Sequence, residues 1–170
     1  MSLVLIGYRG CGKTTVGRKL ADRLWQPFAD TDEIVMKTAG KPIRDIFAQD
    51  GEAGFRELEL AAVREVAQLQ EHVIAVGGGA LERGENRDAL KAGGHKLIYL
   101  RCEPAELHRR IAADPASADT RPDLTPGGGP EEIVTVLAQR EPTYRAAAGA
   151  ELDVTRLSPD EVCVYLARMI

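Results

Sequence analysis

The run Gly7-Tyr8-Arg9-Gly10-Cys11-Gly12-Lys13-Thr14 fits the pattern G-x-x-x-x-G-K-[ST]. Residues of these types at this spacing bind phosphate. Glycines let successive backbone N–H groups turn inward around phosphate oxygens, and a helix that follows adds its positive end. Lys13 supplies a point charge to terminal phosphates, and the hydroxyls of Thr14 and Thr15 lie within reach of phosphate or metal. The Thr14 hydroxyl is the expected Mg²⁺ ligand. Cys11, inside the loop, reads either as a reactive thiol or as a small filler residue.

Three further groups can do chemistry. Asp30 and Asp32 share a face in extended chain. One could hold a metal's water shell while the other accepts a proton from an attacking hydroxyl; equally, they could form a turn and a helix N-cap before Glu33-Ile34-Val35. Arg56 and Glu59 have i,i+3 spacing on what reads as the polar side of a helix. They are either a solvated ion pair or an arginine steered by Glu59 to clamp a carboxylate. Gly77-Gly78-Gly79 closes a strand and suits close backbone approach to a ligand.

Missing motifs narrow the chemistry. No glycine has an aspartate three residues before it, and no Asn-Lys pair exists, so the GTPase switch and base-reading motifs are absent. The strand after the long helix ends in glycines rather than an acid, which removes a motor-type Walker B at that place.

The elements that must position these residues follow from patterning. Leu3-Val4-Leu5-Ile6, Val73 to Val76 and Lys96 to Leu100 read as buried strands, with Pro27 to Ala29 and Leu152 to Val154 as shorter ones. Helices are expected from Lys13 to Trp25, Ile43 to Phe47, Ala53 to Glu71, Glu85 to Ala92, Pro104 to Ala113, Glu131 to Ala147 with a kink at Pro142, and Pro159 to Met169. This alternation predicts an α/β fold, a parallel sheet covered on both faces. Its ligand rim lies beyond the carboxyl ends of the strands. The stretch from Asp114 to Pro130 lacks periodicity, and a loop of that length in a compact domain is usually functional.

The chain has 170 residues, 44% of them hydrophobic and 28% charged, which suits one globular domain over 1–170. A net charge of −4 gives no general attraction for nucleic acid. Three widely spaced cysteines form no disulfide framework. No leader peptide and no bilayer-spanning segment is apparent, so a cytoplasmic protein is expected.

Taken together, these residues resemble the shikimate kinase family over nearly the whole chain. The resemblance rests on the phosphate loop, Asp30-Thr31-Asp32, and the run from Gly51 to Glu59. It continues through Gly77-Gly78-Gly79, Thr120-Arg121-Pro122, Arg140 followed by Tyr144, and Asp153 to Pro159. It implies a three-layer P-loop NTPase fold of the nucleoside-monophosphate-kinase type, with a five-stranded parallel sheet flanked by helices. It also implies transfer of the ATP γ-phosphate to the 3-hydroxyl of shikimate, a step toward aromatic amino acids, with Mg²⁺ as cofactor.

By this resemblance Lys13, Asp32 and Arg121 are catalytic, and Thr14 and Asp30 face the metal. ATP is bound by Gly10 to Thr15 with Arg110, Arg121 and Arg156. Shikimate is bound by Asp32, Arg56, Glu59, Gly77 to Gly79 and Arg140, within a substrate region of about residues 30–60. The loop at about 114–130 becomes a lid that excludes water. The expected partners are small molecules only, with neither nucleic acid nor membrane, and the expected state is a monomer. Asp123, where the family usually has an apolar residue, and Gly127-Gly128-Gly129 depart from the pattern and bear on lid closure.

Overall fold

A computed structural model describes residues 1–114 and 122–169. Elements follow in the order β1 (Leu3–Ile6), α1 (Lys13–Leu24), β2 (Phe28–Asp30), α2 (Thr31–Ala39), α3 (Ile43–Val66) and β3 (Val73–Ala75). After a 3-10 turn (Ala80–Glu82) come α4 (Gly84–Ala92), β4 (Lys96–Arg101), α5 (Pro104–Ala113), α6 (Gly129–Ala147), β5 (Ala150–Asp153) and α7 (Pro159–Met169). The strands form one parallel sheet in the order β2-β3-β1-β4-β5. The expected five-stranded sheet is therefore the one the chain forms.

Strand β1 is buried along its whole length, as its unbroken aliphatic run requires. It lies between β3 and β4, with Leu5 opposite Ala75 on one side and Ile98 on the other. Parallel pairing points every strand's carboxyl end the same way. The phosphate loop after β1, Asp30 at the end of β2 and the glycines after β3 thus share one rim. The main core gathers Leu5, Ile6, Leu20, Ile74, Ile98 and Leu100 with the inner faces of the helices. Helix α7 packs against α1, and α6 against α5.

A second, smaller core joins α2 to α3 through Val35, Ile43, Ile46, Phe55 and Ala62. Phe47 and Phe55 stack there at 4.7 Å between centroids. The two helices expected at Ile43 and Ala53 run end to end as α3. Gly51, at φ 71° and ψ 179°, breaks the helical path between them. The second half stops at Val66, short of the expected Glu71, because Gln68 and Leu69 bond back to Glu65 and Val66 in tighter i→i−3 turns. Helix α2, outlined in the sequence only by its cap, is started by Asp30. Helix α6 runs through Pro142 as one element.

Helix α1 ends at Trp25, in the left-handed region at φ 56°, ψ 35°. Its side chain is 95% exposed, so no packing offsets the backbone cost. Glycine accepts this C-cap conformation without a Cβ clash. Trp25→Gly is expected to stabilise the chain by about 0.5–1 kcal/mol, the left-handed penalty less glycine's unfolded-state entropy. Urea unfolding followed by circular dichroism measures this; an unchanged or lower midpoint would contradict it.

Candidate active site

The phosphate loop is shaped by backbone that L side chains avoid. Gly7, Gly10 and Gly12 have φ of 145°, 84° and 99°. A Cβ at Gly7 would sit 2.7 Å from the Leu100 carbonyl oxygen. Gly12 caps α1 without a side-chain bond, so the helix's first N–H groups open toward the loop. The Lys13 ammonium folds back over it, donating to the carbonyls of Gly7 (2.8 Å) and Tyr8 (2.9 Å). Cys11 is buried, as the filler reading expects, and its sulfur lies 3.7 Å from Lys13 Nζ.

A cleft of about 760 Å³ lies along this loop. Gly10 to Thr15, Asp30, Asp32, Gly78, Arg110 and Arg156 all line it. Arg110 is fixed from two sides. Its Nε donates to Glu106 at 2.8 Å and its Nη2 to the Val154 carbonyl at 2.8 Å. Hydrogen bonds from Arg109 and Arg110 hold the Glu106 carboxyl down at about 2. Arg156 is exposed at the cleft's edge. Thr120 and Arg121 lie outside the described residues.

The cap reading of Asp30 holds, and its carboxylate also meets the phosphate loop. One carboxylate oxygen accepts from the Asp32 N–H (2.9 Å) and caps α2; the other accepts from the Thr14 hydroxyl at 2.7 Å. Thr14 and Asp30 therefore present adjacent hard oxygens, the donor type that suits Mg²⁺. Among the described residues no cluster of three or more metal-ligating side chains exists. Gly77 faces neither cavity described here; its N–H donates to the Thr31 hydroxyl at 2.9 Å and ties the ends of β2 and β3 together.

A second cavity, of about 610 Å³, is lined by Tyr8 and by Arg9, which also lines the first. Arg56, Glu59, Gly79 and Arg140 line it, with Ile43, Phe47 and Phe55 supplying an apolar wall. Here the structure removes one of the two sequence readings of the Arg56–Glu59 pair, the solvated one, and with it the polar-face placement of Glu59. It does not lie on a polar, solvated face but is only 2% exposed, turned inward from α3. Burial pushes its carboxyl above the usual range, against the pull of Arg56, whose Nη1 donates to it at 2.7 Å. The ion pair is a buried device that aims Arg56.

Arg140, on α6, is 6% exposed, and its Nε finds no acceptor among the described residues. Its guanidinium stands 5.9 Å from the Tyr8 ring centroid. Arg56 and Arg140 converge on Gly79. A Cβ there would fall 2.8 Å from both Arg56 Nη atoms and 2.9 Å from Arg140 Nη2. The third glycine of the triplet thus makes room for the two guanidiniums. Tyr144, one turn beyond Arg140, donates its hydroxyl to the Gly78 carbonyl, and burial raises its pKa.

Sequence reasoning missed two acids. Glu82 lies 3.0 Å from Arg140 and 3.7 Å from Arg56. Glu132 accepts from the N–H of Leu124 (3.0 Å), the N–H of Thr125 (2.8 Å) and the Thr125 hydroxyl (2.9 Å). It thereby anchors the chain just before α6. Neither has a periodic or motif signal; each is defined by partners from other segments.

The comparisons agree with this geometry. The family model described as shikimate kinase matches residues 9–170. The shikimate kinase of Rhodopirellula baltica is 43% identical over 160 residues, covering 94% of this chain and 85% of that relative. That of Syntrophus aciditrophicus is 40% identical over 175 residues, covering 98% and 89%. Shikimate kinase from Acinetobacter baumannii, solved in complex with shikimate, superposes with a TM-score of 0.91 at 30% identity, over 99% of this chain and 91% of that one. A gluconokinase from Sinorhizobium meliloti, at 18% identity and a TM-score of 0.54 over 99% and 92%, shares the fold alone. Matched by the family model over residues 9–170 and by relatives 40% or more identical over most of its length, the chain belongs to the shikimate kinase family.

Proposed function

We propose that this chain transfers the γ-phosphoryl group of ATP to the 3-hydroxyl of shikimate, giving shikimate 3-phosphate and ADP, within one catalytic domain. The observation that carries the acceptor assignment is the convergence of Arg56 and Arg140 on Gly79, beside the phosphate loop. Two planar guanidiniums suit a carboxylate better than lysines would. The apolar wall of Ile43, Phe47 and Phe55 suits a carbocycle better than a nucleobase needing polar readers.

Phosphoryl transfer asks mainly for positioning and charge neutralisation. In this reading the backbone N–H groups of Gly10 to Thr15 cradle the phosphates, and Lys13 exchanges its carbonyl partners for phosphate oxygens. Thr14 and Asp30 would hold Mg²⁺, which when bound neutralises charge on the terminal phosphates. Asp32 orients the acceptor hydroxyl and takes its proton. The acceptor oxygen bonds to the γ-phosphorus as the bond to the β–γ bridging oxygen breaks, and ADP leaves. Arg110 and Arg156 flank the adenine end. Arg121 keeps the phosphate-reaching role that the family resemblance assigns it. Both halves of the site come from one chain, so a monomer suffices. Among the described residues no helix is long and apolar enough to cross a membrane.

A coupled assay of ADP release with shikimate, quinate, gluconate or AMP as acceptor tests the assignment. Stimulation by shikimate above the others is expected. Turnover on another acceptor with none on shikimate would sink it. ATP binding with no acceptor-dependent turnover would favour a non-enzymatic nucleotide-binding module.

A further inference from the structure

The two guanidiniums offered to the acceptor already carry protein carboxylates. Arg56 meets Glu59 at 2.7 Å, Glu52 at 3.5 Å and Glu82 at 3.7 Å; Arg140 meets Glu82 at 3.0 Å. Two cations thus face three anions before any acceptor enters. An incoming carboxylate would add like charge to a site that is partly out of water, where such repulsion is poorly screened. One of the resident carboxylates has to give way.

Burial decides which one. The Glu59 side chain is 2% exposed and locked against Arg56, so moving it would strand a buried charge. Among the described residues Glu52 pairs with Arg56 and not with Arg140. Among the described residues Glu82 alone pairs with both arginines, and its side chain is 45% exposed, so it can turn into solvent. Its backbone stays in place when the side chain turns away. The Glu82 N–H donates to the Gly79 carbonyl (3.1 Å), and its own carbonyl accepts from Arg87 (3.1 Å). Asn86 holds the same turn through the Ala80 carbonyl at 2.9 Å. Only side-chain torsions need to change.

We propose that Glu82 is a specificity-tuning residue: its carboxylate competes with the acceptor's carboxylate for Arg140 and Arg56, and the acceptor binds by displacing it. This rests on the shikimate kinase reading above. The competition weakens binding of acceptors that bring a carboxylate, and only a carboxylate that engages both guanidiniums recovers what Glu82 surrenders.

The test is steady-state kinetics of the full chain at saturating ATP, comparing wild type with Glu82→Gln on shikimate and on shikimate methyl ester. Glutamine keeps the shape and removes the charge. The KM for shikimate is expected to fall about threefold or more, the scale set by losing a half-exposed ion pair, with kcat within about twofold. The kcat/KM for the ester, which brings no negative charge, is expected to stay level. An unchanged shikimate KM, or an equal gain on the ester, overturns the competition. A raised shikimate KM overturns it as well and makes Glu82 a support for Arg140. Wild-type chain that turns over no shikimate would remove the parent reading and this inference together, an outcome distinct from the other three.

Discussion

Asp32→Asn is expected to lower turnover by about two to four orders of magnitude, the range for removing a positioned proton acceptor, while nucleotide binding survives. Asp32 stands at the start of α2, where its N–H donates to Asp30 at 2.9 Å. Asparagine keeps that backbone bond and nearly the same shape, so the cap and the Thr14–Asp30 contact persist. What it loses is the negative charge that the proposed mechanism sets against the acceptor hydroxyl. Single-turnover chemistry and equilibrium binding of a fluorescent ATP analogue separate the two effects. Near-normal turnover would remove Asp32 from the mechanism; lost nucleotide binding would move its role to the phosphate cleft.

The second large effect is expected from Gly79→Ala. Gly79 has φ −97° and ψ −1°, a conformation alanine adopts without strain. The atoms its Cβ would meet are the ends of flexible arginine side chains rather than backbone. The fold should therefore hold, and the cost should fall on the arginines, pushed off the point where they converge. Charge-assisted hydrogen bonds are each worth about 1.5–3 kcal/mol, so disturbing this pair should raise the shikimate KM by roughly tenfold to a hundredfold. The KM for ATP should change little, because Gly79 does not line the nucleotide cleft. A variant with the wild-type shikimate KM, or one whose ATP and shikimate constants rise together, would place the acceptor carboxylate elsewhere. The opposite signs expected for Gly79→Ala and Glu82→Gln act on the same two guanidiniums, so the pair of variants checks the clamp from both sides.

The phosphate loop was legible because its requirements are local. Positive-φ glycines, a lysine and a hydroxyl at fixed offsets need no distant partner, and the flanking strand and helix announce themselves by period. The alternation of strands and helices was enough for a parallel sheet, since right-handed crossovers leave few other arrangements. Helix ends were less legible. Where α3 stops depends on i→i−3 bonds at Gln68 and Leu69 that patterning does not encode.

The acceptor half depended on contacts between distant segments. Thr14, at the start of α1, meets Asp30, at the end of β2, Tyr144 reaches Gly78 from α6, and Arg140 meets Arg56 where both approach Gly79. Spacing placed Glu59 on a polar helical face, because a helical wheel sees one helix; the fold turned that face inward and buried it. Glu82 gave no signal at all, since its role is set by two arginines from two other helices. By itself, then, the sequence determined how phosphate is held and the order of the elements, because those depend on backbone dihedrals and periods a few residues long. Which charges are buried, which arginines share one point, and which carboxylate stands in their way were decided only when the parallel sheet brought the ends of β1, β2 and β3 to one rim and laid α3 and α6 across it.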